Sequence, residues 1–537
     1  MRHWWEDAVF YQIYPRSFAD SNEDGIGDLQ GIRNKLGYLV DLGVDALWIS
    51  PFFKSPMKDF GYDVSDYRDV DPMFGTLDDL RTLLSDAKTR GIRIVLDLVA
   101  NHSSDEHPWF FEARSSKDSP KHDWYLWVPE TGRPPNNWTA IFELGSAWHP
   151  NLATGERYLG TFTKYQPEFN WRNDELREAF YDIMRFWYAL GVDGFRLDVA
   201  TGYFKDSELR SNPFSSKANP DFFQKHIYDR NRPEVHEVFK EMRAVADAAG
   251  ERVLIGETHG QDRLLAASCY GKHDDELHLA FNFEFLYEKW GARNFRESAE
   301  RWYAALPDGA WPNFTLSNHD QPRHAWRYRG RRFGGASSEA EAETEARARV
   351  AAAMLLTLRG TPFIYYGEEI GMTCYPFPRA ALRDPLGIAT WPLRGLGRDP
   401  ERTPMQWTGG ENAGFSTAKP WLPINRDYRS RNVATQETDP ASLLSWYKSL
   451  IALRRAKAAL HEGSITFLDL DIDVLAYTRR APSCESILVL INFASQPRAI
   501  SQGAPGRVVL GTARAGGTAL KAEGIVLKPY EVVIAEV

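Results

Sequence analysis

Apolar positions along the chain fall into short buried runs separated by helically spaced stretches. Val9-Phe10-Tyr11-Gln12-Ile13-Tyr14 opens the series as a strand. Leu29, Ile32, Leu36, Leu39 and Leu42 then recur at helical spacing, and Gly43 ends that helix. Ala46 to Ile49 is the second buried run. A second helix starts at Thr76, sets Leu80, Leu83 and Leu84 on one face, and stops at Gly91. Ile92 to Val99 is the third strand. From Asp174 to Leu190 the helical spacing returns through Leu176, Phe180, Ile183 and Trp187. The Phe195 strand follows, then a helix over Pro233–Ala249. Strands are expected over Val253–Gly256, Leu279–Phe285 and Trp311–Leu316. A helix over Ser338–Leu358 leads to Pro362–Tyr366.

Alternating strand and helix imply a parallel sheet. Eight such units predict a (β/α)8 TIM barrel with its active site at the C-terminal ends of the strands. The rhythm breaks twice. Residues 102–170, rich in Trp, Pro, Asn and Ser, read as an inserted domain after strand 3; an insertion of that length is usually functional. From about 458 the pattern becomes short strands and turns (Val474–Thr478, Ile487–Phe493, Val508–Leu510, Glu531–Val537), a C-terminal antiparallel β domain. The expected division is a barrel over 1–101 and 171–457, an insertion over 102–170 and a β domain over 458–537.

Strand alternation also places the chemistry. In Gly194-Phe-Arg-Leu-Asp-Val-Ala200, Arg196 and Asp198 share one face while Phe195, Leu197 and Val199 share the other. A buried structural Arg–Asp pair explains this run when taken alone. Three other runs that end in a carboxylate, or in a His beside one, change the balance: Asp97-Leu-Val-Ala-Asn-His102, Ile255-Gly-Glu257 and Ser317-Asn-His-Asp320. Carboxylates at several strand ends suggest glycoside cleavage by a nucleophile and an acid/base, ~5–5.5 Å apart when configuration is retained. Asp198, with a cation beside it, suits the nucleophile. Glu257, closing an apolar strand, suits the acid/base, and a third carboxylate can stabilise developing positive charge.

Composition narrows the partners. The chain has 537 residues, a net charge of −9 and no basic block, which argues against nucleic acid. Three cysteines (Cys269, Cys374, Cys484) lack metal spacing and are too scattered for a disulfide framework. No apolar leader opens the chain, and its longest plain apolar run, Val350–Leu356, is far short of the ~18 residues of a membrane span. A cytoplasmic protein, monomer or homodimer, acting away from membranes is expected.

Between strand 1 and its helix stands Asp20-Ser-Asn22-Glu-Asp24-Gly25-Ile26-Gly-Asp28. It matches the first half of a calcium loop, with Gly25 at the sharp turn. Gly31 occupies the position where the helix–loop–helix version has Glu. Expected ligands are Asp20, Asn22, Asp24, the Ile26 carbonyl and Asp28, holding a structural Ca²⁺. The competing reading is an Asp-rich solvated turn that caps the next helix.

Together the four runs resemble the α-amylase family, glycoside hydrolase family 13. Gln166-Pro-Glu-Phe-Asn170 resembles the QPDLN motif of its oligo-1,6-glucosidase branch, departing at Glu168 and Phe169. The resemblance implies a retaining mechanism with Asp198 as nucleophile, Glu257 as acid/base and Asp320 as transition-state stabiliser. It matches His102, Arg196 and His319 to sugar-binding positions and Tyr62 to a stacking platform, where ordinary loop packing is the other explanation. It pairs Asp59 with Arg402, in Asp399-Pro-Glu-Arg-Thr-Pro-Met-Gln-Trp407, as the wall behind the first glucose, and sets Phe162 in the same pocket. The implied activity is an exo-acting α-glucosidase. Val199, after the nucleophile, is associated in the family with α-1,6 cleavage and also with broad action, so both linkages stay open. The alternatives are a transglycosidase of the sucrose isomerase or trehalose synthase type and a non-catalytic member. The Arg-Asp-Arg-type motif of sucrose isomerases is not found after Asp320, where Gln321-Pro-Arg-His-Ala stands.

Overall fold

The fold was described from a computed structural model. It describes residues 2–537 except 217–222, 259, 261, 331–337, 376, 393–396, 484, 502 and 504. Eight parallel strands form a nearly closed barrel: β1 (Phe10–Ile13), β2 (Ala46–Ile49), β3 (Arg93–Leu98), β4 (Gly194–Leu197), β5 (Val253–Gly256), β6 (Leu279–Ala280), β7 (Asn313–Thr315) and β8 (Thr361–Tyr365). Their order around the sheet is β6-β5-β4-β3-β2-β1-β8-β7. Among the described residues no ladder joins β6 to β7. Side chains bridge that gap instead: Asn313 Nδ2 donates to the Ala280 carbonyl over 2.7 Å, and the Tyr270 hydroxyl donates to the Trp311 carbonyl while accepting from the Ala280 N–H.

Period-two alternation builds two layers. Phe10, Ala46, Trp48, Val95, Val253, Ile255, Leu279 and Phe363 cluster inside the barrel. Phe195, Leu197, Leu47, Ile94, Leu96 and Leu254 face outward into the core beneath the helices. The helices form for the reasons their sequences suggest. Leu77–Thr89 starts at a capping box in which Thr76 and Asp79 bond reciprocally, and Asp174–Leu190 starts at the Asn173 cap and ends on Gly191 at φ +104°. Along the second helix Leu176, Phe180, Ile183, Met184 and Trp187 are buried, each worth about 1.5–3 kcal/mol of apolar transfer.

Several elements differ from expectation. The first helix is two, Leu29–Asn34 and Leu36–Leu42, broken where Lys35 leaves helical dihedrals. The sixth strand is only Leu279–Ala280, because Asn282 caps a short helix at Phe283–Leu286 by accepting from the Glu284 N–H. The seventh is Asn313–Thr315.

Within residues 102–170, the segments Trp127–Pro129, Glu156–Leu159 and Trp148–Asn151 form a small antiparallel sheet. At the C-terminus a six-stranded antiparallel sheet is ordered 464–471, 474–480, 486–492, 532–536, 506–511 and 519–520. Cys269 and Cys374 are buried free thiols; Cys484 lies outside the described residues. No helix among the described residues is long and apolar enough to cross a membrane.

Candidate active site

On β3 and β5 the inward face turns from apolar to polar toward the top of the barrel. On β5 the sequence Val253, Ile255, Glu257 runs up one face; on β3 it is Val95, Asp97; on β4, Arg196 and then Asp198. Cross-strand register sets Asp97 directly beside Arg196. Arg196 is fully buried and holds three carboxylates. Its Nη1 lies 2.7 Å from Asp97 Oδ1 and 2.6 Å from Asp198 Oδ1, and its Nη2 lies 2.7 Å from Glu257 Oε2. The guanidinium sits over the Trp48 ring at 5.0 Å. One cation therefore serves three acids. Burial pushes Asp97 up to about 6 and raises Asp198 well above the ordinary carboxylate range; Arg196 opposes both shifts and the neighbouring carboxylates add to them. The cation expected beside Asp198 is thus present, and it is shared with two further carboxylates.

Directly after Asp198, Val199 adopts φ +47°, ψ +39°. A β-branched residue in this left-handed region is strained. The turn aims the Val199 N–H at Glu257 Oε2, 3.1 Å away. The Val199 side chain packs with Phe142 and Phe162.

A hydrogen-bonded chain links these acids to the opposite wall. The Asp97 Oδ2 accepts from Trp48 Nε1 and from the Tyr62 hydroxyl, each at 3.1 Å. Tyr62 lies 2.6 Å from His319 Nε2, with the two rings parallel and 5.3 Å apart. Gln12 Nε2 stands 2.8 Å from His319 Nδ1, which makes Nδ1 the acceptor and places the proton on Nε2. Burial pushes His319 well below the ordinary imidazole range, and Asp320 beside it pulls the other way. Its neighbour Asp320 is the most open of the three acids, at 28% side-chain exposure against 7% for Asp198 and 12% for Glu257. Burial alone would raise Asp320; His319 beside it, and then Arg402 and Arg398 at 2.7 and 3.4 Å from its Oδ1, outweigh burial and hold the carboxyl well below its usual range.

The pocket wall departs from expectation. Asp59 does not pair with Arg402. Its Oδ1 lies 2.6 Å from Arg398 Nη2, while Arg402 binds Asp320 and donates to the His319 carbonyl over 2.8 Å. Packing explains the exchange. Arg402 is held over the Tyr14 ring, whereas Arg398 is clamped by Asp384 at 2.7 Å and lies 4.1 Å above the Phe142 ring. The other Asp59 oxygen accepts from Gln166 Nε2 over 3.1 Å. His102 lies 2.9 Å from the Tyr62 carbonyl, and its ring is 5.1 Å from Phe162. Burial pushes His102 down to about 4.

Asp59, Tyr62, His102, Phe162, Arg196, Asp198, Glu257, His319, Asp320 and Arg402 thus gather in one network at the top of the barrel. Sequence reasoning passed over Arg398, Asp384, Gln166 and the site role of Asp97. Arg398 immediately precedes the Asp399 motif, and Asp97 and Gln166 lie inside the motifs above, so these three carried a signal; Asp384 carried none.

The Asp20–Asp28 loop stands apart. Asp20 Oδ1 accepts from the Asn22 and Glu23 N–H groups; Oδ2 accepts from the Gly25 N–H and the Ser416 hydroxyl. Asn22 and Asp24 accept from N–H groups two residues on, and Asp28 caps the next helix through Gly31. Gly25 has φ +88°, and a side chain there would collide with the Lys419 carbonyl. Its candidate donors are all oxygen, as calcium prefers. Among the described residues no three His, Cys, Asp or Glu side chains converge as a metal-holding group.

Comparison with known proteins places this geometry. Residues 12–463 match the alpha-amylase family model, described as "Alpha amylase, catalytic domain". The chain is 43% identical to a probable alpha-glucosidase of Rhizobium meliloti (strain 1021), over 92% of this chain and 90% of that one. It is 40% identical to an oligo-1,6-glucosidase of Parageobacillus thermoglucosidasius, over 92% and 91%. Among solved structures, an alpha-glucosyl transfer enzyme, XgtA, aligns with TM-score 0.92 at 38% identity, and the trehalulose synthase MutB from Pseudomonas mesoacidophila MX-45 with 0.90 at 35%; each alignment covers both chains in full.

Proposed function

The chain belongs to the alpha-amylase family, in its alpha-glucosidase branch, and on that premise we propose that it is a retaining, exo-acting α-glucosidase releasing glucose from the non-reducing end of short α-glucosides. The observation that carries this reading is the single Arg196 guanidinium holding Asp198 and Glu257 on its two terminal nitrogens. Two carboxyls gripped by one guanidinium are close neighbours, which supports a nucleophile and acid/base acting on one anomeric centre.

In the first step Asp198 attacks the anomeric carbon as Glu257 protonates the departing glycosidic oxygen, leaving a glucosyl ester on Asp198. In the second, Glu257 takes a proton from water, and the water oxygen displaces Asp198. Asp320, ionised between Arg402 and Arg398, stabilises the oxocarbenium-like charge and grips sugar hydroxyls. The Asp59–Arg398 pair blocks the space behind the glucosyl unit, which restricts attack to a chain end. Tyr62 supplies the apolar face beneath the sugar, and His102, His319 and Phe162 complete the pocket.

Asp198→Asn tests the core of the reading. Loss of about 10⁴-fold or more in kcat is expected, and turnover at the original rate overturns it. Initial rates on maltose and isomaltose decide linkage; release of glucose from neither removes the exo-glucosidase assignment. Similarity to XgtA and MutB supports a second reading, transfer of the glucosyl unit to a sugar acceptor rather than water. Products from sucrose and from concentrated maltose separate the two: glucose alone supports hydrolysis, whereas isomers or longer oligosaccharides support transfer. The proposal also places a structural calcium ion in the Asp20–Asp28 loop. Asp20, Asn22, Asp24, the Ile26 carbonyl and Asp28 would hold it, supported by the all-oxygen donor set. A cytoplasmic monomer or homodimer completes the reading, checked by size-exclusion chromatography and fractionation.

A further inference from the structure

Glu168 is, with Phe169, one of the two residues at which the Gln166–Asn170 run departs from the motif it resembles, and it is not exposed. It is 1% accessible, and so close to Lys205, itself 3% accessible, that Nζ and Oε2 are 2.6 Å apart. Two buried charges this close cost desolvation that a surface pair avoids, so their value lies in what they hold. Each has a second contact. Lys205 Nζ donates to the Gly202 carbonyl over 2.5 Å. Glu168 Oε1 accepts from the Thr161 N–H over 3.1 Å.

Those contacts reach two separate segments of the chain that meet at Val199, Phe142 and Phe162. Gly202 belongs to the turn that follows Asp198, and its N–H donates to the Val199 carbonyl over 2.7 Å. The turn has no slack: a methyl group on Gly202 would meet Val199 Cγ1 at 2.6 Å and Asn101 Oδ1 at 2.9 Å. Thr161 precedes Phe162, whose ring packs against His102 and Phe142. Backbone bonds seat Glu168 itself: its N–H donates to the Leu159 carbonyl, and it bridges His102.

We propose that Lys205 and Glu168 are a positioning pair that fixes the Asp198-bearing turn against the Phe162 wall and so sets the attack geometry of the nucleophile on the bound glucosyl unit. This rests on the reading of Asp198 as nucleophile. The pair touches no reacting atom; it acts through the Gly202 carbonyl and the Thr161 amide. Small displacements of a nucleophile cost rate far more than binding.

The test uses the double variant Glu168→Gln/Lys205→Met, which removes both charges without leaving one buried alone and is expected to keep the fold. With an aryl α-glucoside, kcat should fall on the order of 10²-fold while KM changes little. Sites counted by a mechanism-based fluoroglucoside that esterifies Asp198 should stay at one per chain. Glu168→Asp, which keeps the charge but withdraws the carboxylate, should show an intermediate kcat. The original kcat in the double variant overturns the proposal. So does a fall matched by lost titratable sites, or a rise in KM with kcat intact. Asp198→Asn is the control. If it is inactive while the double variant runs at full rate, only the pair fails; if it stays active, the nucleophile reading and the pair fail together.

Discussion

Arg398 donates to Asp59 Oδ1 over 2.6 Å and stands 3.4 Å from Asp320 Oδ1, so one guanidinium joins the pocket's rear wall to its third carboxylate. Removing it leaves Asp59 buried and unpaired. Arg398→Ala is expected to lower kcat/KM on maltose about 10²-fold, within the range that follows loss of one partner of a buried charge pair. It should also admit maltotriose blocked at its non-reducing end, which the parent chain should reject. Parallel initial rates on free and blocked substrate check both outcomes.

Asp97 competes with Asp198 and Glu257 for Arg196. Asp97→Asn withdraws one negative charge that raises Asp198, so Asp198 ionises more readily. The acid limb of the kcat/KM profile should move to lower pH. Stability follows the same group. The Asp97 pKa rises from 3.8 to about 6 on folding, so its contribution is present below pH 3.8 and is lost as pH climbs through about 6. Melting temperature measured from pH 4 to 7 should fall less steeply in the variant than in the parent.

Val199 stores backbone strain at φ +47°. Val199→Ala keeps the strain and loses packing on Phe142 and Phe162, whereas Val199→Gly loses the same packing and releases the strain. The glycine variant should therefore be the more stable of the two by about 1 kcal/mol, the reverse of the order at an ordinary buried position. Thermal melts of both proteins under one condition decide it.

A calcium ion in the Asp20–Asp28 loop predicts that chelation lowers the melting temperature and leaves kcat at 25 °C unchanged. At a hundredfold excess of calcium over its dissociation constant the ion would contribute about 2.7 kcal/mol. Asp20→Ala should abolish the calcium dependence of the melt. A parent protein whose melt ignores both chelator and added calcium removes the ion from the reading.

Legibility in the chain followed the range of the physics. Strand alternation is local, so Arg196 and Asp198 could be placed on one face, and Val253, Ile255 and Glu257 follow the same rule. Caps at Thr76 and Asn173 are local too. Element ends decided by a single side chain were harder: Asn282 cuts the sixth strand short by capping a helix, a competition that apolar runs do not display. The partner of Asp59 was least legible. Arg398 and Arg402 are four positions apart on one loop, and only the packing of Phe142, Tyr14 and Asp384 assigns each to its acid. The three-carboxylate cluster was hidden for a related reason, since Asp97 reaches Arg196 by register between strands 99 residues apart.

Among the described residues the seam between β6 and β7 is the one place where neighbouring barrel strands share no ladder. Where other neighbours share a ladder, here Asn313 and Tyr270 act as stitches, and loosening them sets free the cylinder's two ends. One end leads back to Glu257 and the other on to Asp320. Heating would thus separate these two groups before it disturbs the β3–β4 hydrogen bonds under Asp198, and the chain would fall silent while most of its sheet is still intact.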